Sequence, residues 1–344
     1  MSSLRPVSGT AGEILALLRE WDAAPAPDPL VIETSGSTGS PKRVVLSRDA
    51  MRASALATHD RLGGPGQWVL NLPPTYVAGL QVLYRSVVAG TSPVAVGPSL
   101  AETRSRVTGR SYLSLVPTQL VRVLDGPAAE VVALAAFDAV LVGGGPLDPR
   151  LRAQAEERGI RVVQTYGMSE TCGGCVYDGL PLPGVEVRID DGAVLLRGPV
   201  LFDGYAGEPA RTAAVMRDGW FHTADLGHLD ACGRLHIDGR VDDVIISGGV
   251  KVPAPAVAAV LEKQPGVAAA CVVGIPDDEW GERVVAVLAG PPADLDRDPD
   301  GEQALPRAWW PKDVVWVSSL PMLSNGKVDR LRARELAMAE LARG

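Results

Sequence analysis

Pro29-Leu-Val-Ile-Glu-Thr34-Ser-Gly-Ser-Thr-Gly-Ser-Pro-Lys42-Arg-Val-Val-Leu-Ser47 is the stretch from which the fold can be read outward. Its two ends, Pro29 to Glu33 and Arg43 to Ser47, are short β-branched apolar runs of strand length. The loop between them carries Gly36 and Gly39, which let backbone N–H groups close on an anion. The hydroxyls of Thr34, Ser35, Ser37 and Thr38 can donate to phosphate oxygens, and Lys42 adds positive charge. This predicts a strand–loop–strand phosphate cradle. The spacing does not satisfy G-x-x-x-x-G-K-[ST], and a strand rather than a helix follows, so the P-loop NTPase reading fails in sequence and in context. A flexible Ser/Gly connector is the alternative for this segment taken alone.

Around this loop the chain alternates apolar runs with helical patterns. A helical segment, Ile14 to Trp21, precedes it, and Trp68 to Leu72, a helix over Gly79 to Ala89, Ser92 to Val96, Tyr112 to Val116, Ala139 to Val142 and Arg161 to Gln164 follow. That alternation predicts a mostly parallel sheet covered by helices. From Gly184 to His236, short strands separated by Gly and Asp turns predict a β-rich subregion. Beyond Gly239 the chain restarts as a compact unit ending in a charged helix, Asp329 to Ala342. The expected architecture is α/β, with a large N-terminal domain over 1–239 and a small, mobile α+β C-terminal domain over 240–344, hinged near Asp242.

With 344 residues, 46% of them hydrophobic, the chain can bury two cores, and its formal charge of -8 argues against a general electrostatic grip on nucleic acid or anionic membrane. Phosphate must therefore be held locally. No run approaches the ~18 apolar residues of a membrane span, and the N-terminus has no apolar signal core, which predicts a soluble cytoplasmic protein. Cys172-Gly-Gly-Cys175 has the spacing of a zinc or redox pair. No second ligand pair accompanies it, since Cys232 and Cys271 stand apart and His222, His228 and His236 lack ligand spacing, so packing beside a loop is the favoured reading. Among 33 basic residues only Lys42, Lys251, Lys263, Lys312 and Lys327 are lysines. Three of them fall in glycine-containing motifs, where a compact charge on a flexible stem serves better than a planar fork.

Four further motifs follow the loop in order: Tyr166-Gly-Met-Ser-Glu-Thr171, Trp220-Phe-His-Thr-Ala-Asp-Leu-Gly227, Gly239-Arg-Val-Asp-Asp-Val-Ile-Ile-Ser-Gly-Gly-Val-Lys-Val252 and Asn325-Gly-Lys-Val-Asp-Arg330. Together, from about Val31 to Arg334, they resemble the acyl-adenylate-forming superfamily of acyl-CoA synthetases, luciferases and peptide-synthetase adenylation domains. Tyr166 offers an aromatic face for a purine and Glu170 a hard oxygen for Mg²⁺. The resemblance implies adenine packing by Tyr166 with Gly167 and Met168, phosphate contact by Ser169 in place of the usual Thr, and a metal ligand in Glu170. It also implies an adenine-pocket loop at Gly143, Gly144 and Gly145, and a ribose-binding carboxylate at Asp225. Arg240 is expected at ribose or phosphate, and Asp242 at the hinge. Lys327 would stabilise the charge that builds when a carboxylate attacks the α-phosphate. Ser247, Gly248 and Gly249, near Lys251, would line the path of the pantetheine thiol. The resemblance thus implies ATP, Mg²⁺ and coenzyme A as partners.

For the acid, Leu72 to Gly90 and Ser114 to Leu120 look most like the o-succinylbenzoate–CoA ligases of menaquinone biosynthesis, whose compact bacterial members share this chain's short region before the phosphate loop. Tyr76 stands where many relatives carry His. Gln81 and Arg85 share one face of an apolar helix at i, i+4. The fork of Arg85 suits the second carboxylate of a dicarboxylic acid, while an exposed polar stripe is the plain reading of the same pattern. Tyr76, Gln81, Arg85, Ser114 and Thr118 are the candidate acid-binding residues. A ligase for another aryl or short acid, a carrier-protein-loading adenylation enzyme and a non-catalytic nucleotide-binding module remain as alternatives. The last would show loss of Lys327, Glu170 or Asp225, all of which are present. Oligomeric state stays open, a homo-oligomer included.

Overall fold

The computed structural model describes residues 4–34, 42–296, 305–323 and 328–342. The phosphate-loop candidates Ser35, Gly36, Ser37, Thr38 and Gly39, and the candidate catalytic Lys327, lie outside the described residues, as does the side chain of Asp242. The chain divides into two compact units: 1–190 with 195–223 and 229–236, and 237–344 with 191–194 and 224–228.

A seven-stranded sheet dominates the first unit, in the order Leu180–Pro181, Gly173–Tyr177, Val162–Met168, Ala139–Gly143, Ser111–Leu115, Gln67–Leu70, Val94–Ala95. The five strands from Val162–Met168 to Val94–Ala95 pair in parallel, and the first two of the order are antiparallel additions. Parallel strands buried on both faces read as continuous apolar runs, as Ala139-Val-Leu-Val and Tyr112-Leu-Ser-Leu do. A smaller sheet holds Arg5–Pro6, Leu30–Thr34, Lys42–Leu46 and Gly204–Tyr205. The two strands flanking the candidate phosphate loop are antiparallel partners within it, with Thr34 opposite Lys42. The expected β-rich stretch forms a third sheet of Glu186–Asp190, Ala193–Arg197, Trp220–Leu229 and Met216–Arg217, with Leu235–Arg240 beside Trp220–Leu229.

Two helices join the sheets of the first unit. Arg48–Leu62 starts where the Ser47 hydroxyl accepts the Ala50 N–H and stops at Gly63, whose left-handed backbone ends the helix. Val77–Val88 is buried from Gly79 through Ser86. The polar side chains of so enclosed a helix must look for partners inside the protein, and four of them find one. Tyr84 donates to Asp22 at 2.6 Å, Ser86 to the Val82 carbonyl, Gln81 to the Cys172 carbonyl at 2.7 Å, and Arg85 to the Tyr177 hydroxyl at 3.3 Å.

In the second unit, Val250–Pro253, Val244–Ser247, Gly281–Ala289 and Ala269–Asp277 form a sheet in that order, with Asp313–Val317 parallel to Gly281–Ala289. Ala254–Leu261 packs over one face, on Val252, Val272, Val284 and Leu288. Arg330–Leu341 puts Ala333 and Ala337 against Val273, Val285 and Val287.

Candidate active site

Four sequence-predicted segments come together at one edge of the seven-stranded sheet because each follows, or ends, a parallel strand. Tyr76 lies beyond Gln67–Leu70, Ser114 and Thr118 at the end of Ser111–Leu115, Gly143 to Gly145 at the end of Ala139–Gly143, and Tyr166 to Met168 at the end of Val162–Met168. The carboxyl ends of parallel strands are where open α/β sheets bind ligands. Register makes the neighbours explicit: Leu115 lies opposite Val142, and Gly143 opposite Thr165. Gly144 and Gly145 are exposed and lie against Val116 and Pro117. Ser114 is 7% exposed, while Tyr76 and Tyr166 are half-buried and Thr118 is exposed.

Beyond Met168 the chain makes a single 3-10 turn, Ser169–Thr171, and leaves it through Cys172 at φ 52°. A side chain in the left-handed region is costly, and the turn is held by bonds on every side. Thr171 Oγ1 accepts the Met168 N–H and donates to the Gly173 carbonyl, while Ser54 and Gln81 both donate to the Cys172 carbonyl. Gly167 passes so close to the neighbouring strand that a Cβ there would sit 2.2 Å from the Gly173 carbonyl oxygen. The product of this tight construction is a buried carboxylate, Glu170, 7% exposed.

Glu170 is gripped by residues that sequence patterning does not single out. Tyr205 donates its hydroxyl to Glu170 Oε1 at 2.8 Å, and Phe202 donates its backbone N–H to the Glu170 carbonyl. Lys42 Nζ stands 4.0 Å from Glu170 Oε1 and 5.6 Å from the centre of the Tyr205 ring. Tyr205 lies in Gly204–Tyr205, which pairs with Lys42–Leu46, so the strand that emerges from the candidate phosphate loop also carries the partner of the carboxylate. The signal missed in the sequence was Phe202-Asp-Gly-Tyr205, a Gly-Tyr pair with no chemistry of its own until the sheet brings it to Glu170.

Gln81 and Arg85 are both buried, unlike the exposed polar stripe that is the plain reading of their spacing. Neither lies on an exposed stripe, and Arg85 does not hold its fork open to solvent. Arg85 is 4% exposed, with its guanidinium 5.0 Å from the Trp68 ring centre. Burial pulls its pKa below the usual guanidinium range, with the neighbouring Tyr177 opposing that shift. Among the described residues no carboxylate pairs with it, and Arg85 Nε, Gln81 Oε1, Trp68 Nε1 and His59 Nε2 are buried atoms without a hydrogen-bond partner. Gln81 instead supports the turn that carries Glu170. Cys172 and Cys175 are fully buried thiols whose pKa burial drives upward, which keeps them protonated and unreactive.

Within the second unit, Asp225 on Trp220–Leu229 and Arg240 at the end of Leu235–Arg240 meet at 2.9 Å, with Asp225 5% exposed. The candidate hinge is a 3-10 turn, Val241–Asp243. Asp243 pairs with Arg330 at 2.8 Å, and Met322 bridges Val328 across the segment that contains Lys327. Asp243 and Arg330 were not singled out in the sequence, although each lies inside a quoted motif. Ser247 is buried, and Gly248 and Gly249, at φ 57° and 78°, make the two-residue turn joining Val244–Ser247 to Val250–Pro253. Two consecutive positive-φ residues are what a type I′ hairpin demands. The Gly248 N–H donates to the Trp280 carbonyl, and a Cβ on Gly248 would meet the Trp280 ring at 2.8 Å. Lys251 is exposed.

Among the described residues no group of three or more His, Cys, Asp or Glu could hold a metal unaided. A single buried carboxylate fits Mg²⁺ all the same, because that ion is commonly held by one or two carboxylates together with substrate phosphates.

Comparison with known proteins is consistent along the chain. The AMP-binding enzyme family matches residues 17–206, and the AMP-binding enzyme C-terminal domain matches 256–327. A probable 2-succinylbenzoate–CoA ligase of Mycobacterium tuberculosis is 44% identical over 317 residues, which cover 88% of this chain and 82% of the relative. The o-succinylbenzoate CoA synthetase of Bacillus subtilis in complex with its acyl-adenylate intermediate superposes with a TM-score of 0.76 at 28% identity. That match covers 89% of this chain and 68% of the other. The same Bacillus subtilis enzyme in complex with ATP and magnesium gives 0.74 at 28% identity, covering 88% and 69%.

Proposed function

Since the chain belongs to the AMP-binding enzyme family, we propose that it is an acid–CoA ligase acting on o-succinylbenzoate, in the cytoplasm and in menaquinone biosynthesis. The observation that carries the substrate is the 44% identity to a probable 2-succinylbenzoate–CoA ligase over 88% of the chain. The observation that supports the chemistry is the buried Glu170 beside Lys42 at the carboxyl edge of the parallel sheet.

In the first half-reaction a carboxylate oxygen of the acid attacks the α-phosphorus of ATP, the bond from that phosphorus to the bridging oxygen breaks, and pyrophosphate leaves. Two anions meet, so the barrier is electrostatic and is lowered by preorganised positive charge. Lys42 and the loop Thr34 to Gly39 take the phosphates, and Tyr166 to Met168 with Gly143 to Gly145 take the adenine. Asp225 takes the ribose diol, and Arg240, paired with Asp225, directs charge to ribose or phosphate. Ser169 meets phosphate, and Glu170 would hold Mg²⁺, which when bound would supply charge neutralisation to the phosphates. Lys327 balances the charge developing on the α-phosphate. In the second half-reaction the thiol sulfur of coenzyme A attacks the acyl carbon, losing its proton to solvent, and AMP leaves with the bonding pair. The hairpin Ser247 to Lys251 guides the thiol, and Asp242 is the pivot that exchanges Lys327 for that hairpin.

For the acid, Tyr76, Ser114 and Thr118 form the wall, while Gln81 braces the turn that carries Glu170 through the Cys172 carbonyl. Arg85 acts through the low-dielectric interior rather than by contact. It lies nine residues beyond Tyr76, roughly 13 Å along the helix, and at an effective dielectric of about 20 a unit charge at that range gives ~1.3 kcal/mol. The test is AMP formation with free coenzyme A across o-succinylbenzoate, benzoate, succinate and a fatty acid. o-Succinylbenzoate should lead, and equal or better activity with a monocarboxylate refutes the substrate.

A further inference from the structure

The main chain of Glu170 is fixed without help from its own side chain. The Phe202 N–H bonds its carbonyl, Ser54 and Gln81 bond the Cys172 carbonyl, and Thr171 closes the turn. The carboxylate itself has two neighbours of opposite consequence. The Tyr205 hydroxyl is at 2.8 Å from Oε1, and the Lys42 ammonium is at 4.0 Å from the same oxygen, the outer reach of an ion pair. Lys42 would compete with a divalent cation for that carboxylate, and Glu170 would draw Lys42 away from phosphate. A hydroxyl that occupies Oε1 holds the carboxylate short of a closed ion pair and leaves Oε2 for other contacts.

The Tyr205 side chain is held in place from several sides. Its ring packs edge-on against Phe202 at 5.0 Å, with Lys42 at 5.6 Å and Arg211 at 5.2 Å from its centre. Its backbone N–H is held by Thr212 Oγ1, and Gly204–Tyr205 pairs with Lys42–Leu46.

Resting on the proposed metal role of Glu170, we propose that Tyr205 is a positioning residue that keeps the Glu170 carboxylate open to a divalent cation and out of a closed ion pair with Lys42. Tyr205→Phe removes one oxygen and keeps every ring contact, so it isolates the hydroxyl. The experiment titrates Mn²⁺, followed by its electron paramagnetic resonance signal, into the full chain with a non-cleavable ATP analogue. In Tyr205→Phe the Mn²⁺ affinity of the nucleotide complex falls about tenfold, as expected for one hydrogen bond to a charged group. Metal-free nucleotide affinity stays within about twofold, and Tm moves by less than about 2 °C, the range of a sub-kilocalorie change. Adding Lys42→Met to Tyr205→Phe removes the competitor and restores Mn²⁺ affinity to within about threefold of the parent, since the two sites are coupled. Unchanged Mn²⁺ affinity in Tyr205→Phe overturns the proposal, and so does a loss of metal affinity that the second substitution fails to restore. If the unaltered chain binds no Mn²⁺ with the nucleotide, the metal reading of Glu170 is itself what fails.

Discussion

His59 offers a quantitative test of the enclosed polar cluster around Arg85. It is 5% exposed, and its Nε2 is a buried atom without a hydrogen-bond partner. Burial, and secondly the positive charge of Arg85, lower its pKa from 6.5 to about 4. Because the folded form resists the proton, the unfolded chain binds more protons between those two values. Stability is therefore whole above pH 6.5, falls as pH drops toward 4, and loses nothing further from this group below that. The linkage integral over a gap of that size is about 3 kcal/mol, of which about 2 is already lost at pH 5. His59→Gln keeps a polar side chain of similar size and cannot protonate. It should be less stable than the parent at pH 7.5 by about 1 kcal/mol of imperfect packing, yet more stable at pH 4.5. The two profiles of urea-unfolding free energy against pH must then cross. Arg85→Met removes the second cause only, so the His59 midpoint, read from its ring ¹³C shifts, should rise and still stay below 6.5. Parallel profiles for His59→Gln and the parent, or a folded-state midpoint near 6.5, would refute the reasoning.

Other expected outcomes follow from single sites. Arg85→Met should raise the Michaelis constant for o-succinylbenzoate about tenfold while leaving that for ATP unchanged, as expected of a charge acting at a distance; equal shifts for both substrates would count against it. Gly248→Ala places a Cβ 2.8 Å from the Trp280 ring at φ 57°. It should cost about 1–2 kcal/mol of strain and slow thioester formation from pre-made acyl-adenylate more than adenylation. Lys327→Ala should slow adenylation by about two to three powers of ten and spare the thioester step, which single-turnover measurements of each half-reaction will separate. In the native chain Ellman's reagent should modify Cys232 alone, since the other three cysteines are buried, and all four should react in denaturant.

How far the sequence discloses this molecule depends on whether a signal is local. The strands Leu30–Thr34 and Lys42–Leu46, the helix Val77–Val88 and the parallel order of Gln67–Leu70, Ser111–Leu115, Ala139–Gly143 and Val162–Met168 are written in runs of apolar and β-branched residues. Periodicity reads such runs directly. The helix Arg48–Leu62 is harder, because its polar, alanine-rich sequence has little apolar stripe. Its usable signals were the Ser47 cap and the Gly63 stop, which need no periodicity.

The candidate site divides on the same line. Glu170, Asp225 and Lys327 are visible because each sits in a motif whose neighbours constrain it, while Tyr205 becomes meaningful only when Gly204–Tyr205 pairs with Lys42–Leu46. Arg85 shows the converse difficulty. Its i, i+4 relation to Gln81 marks one helix face correctly, but a face has no label saying what covers it. Here the covering groups are Trp68 and Tyr177, one near in sequence and one far. Arg85, with no carboxylate partner among the described residues, carries a desolvation cost in the interior. On the proposed reading a negative charge arrives with the acid, so the acid Michaelis constant is the measurement on which the role of Arg85 turns.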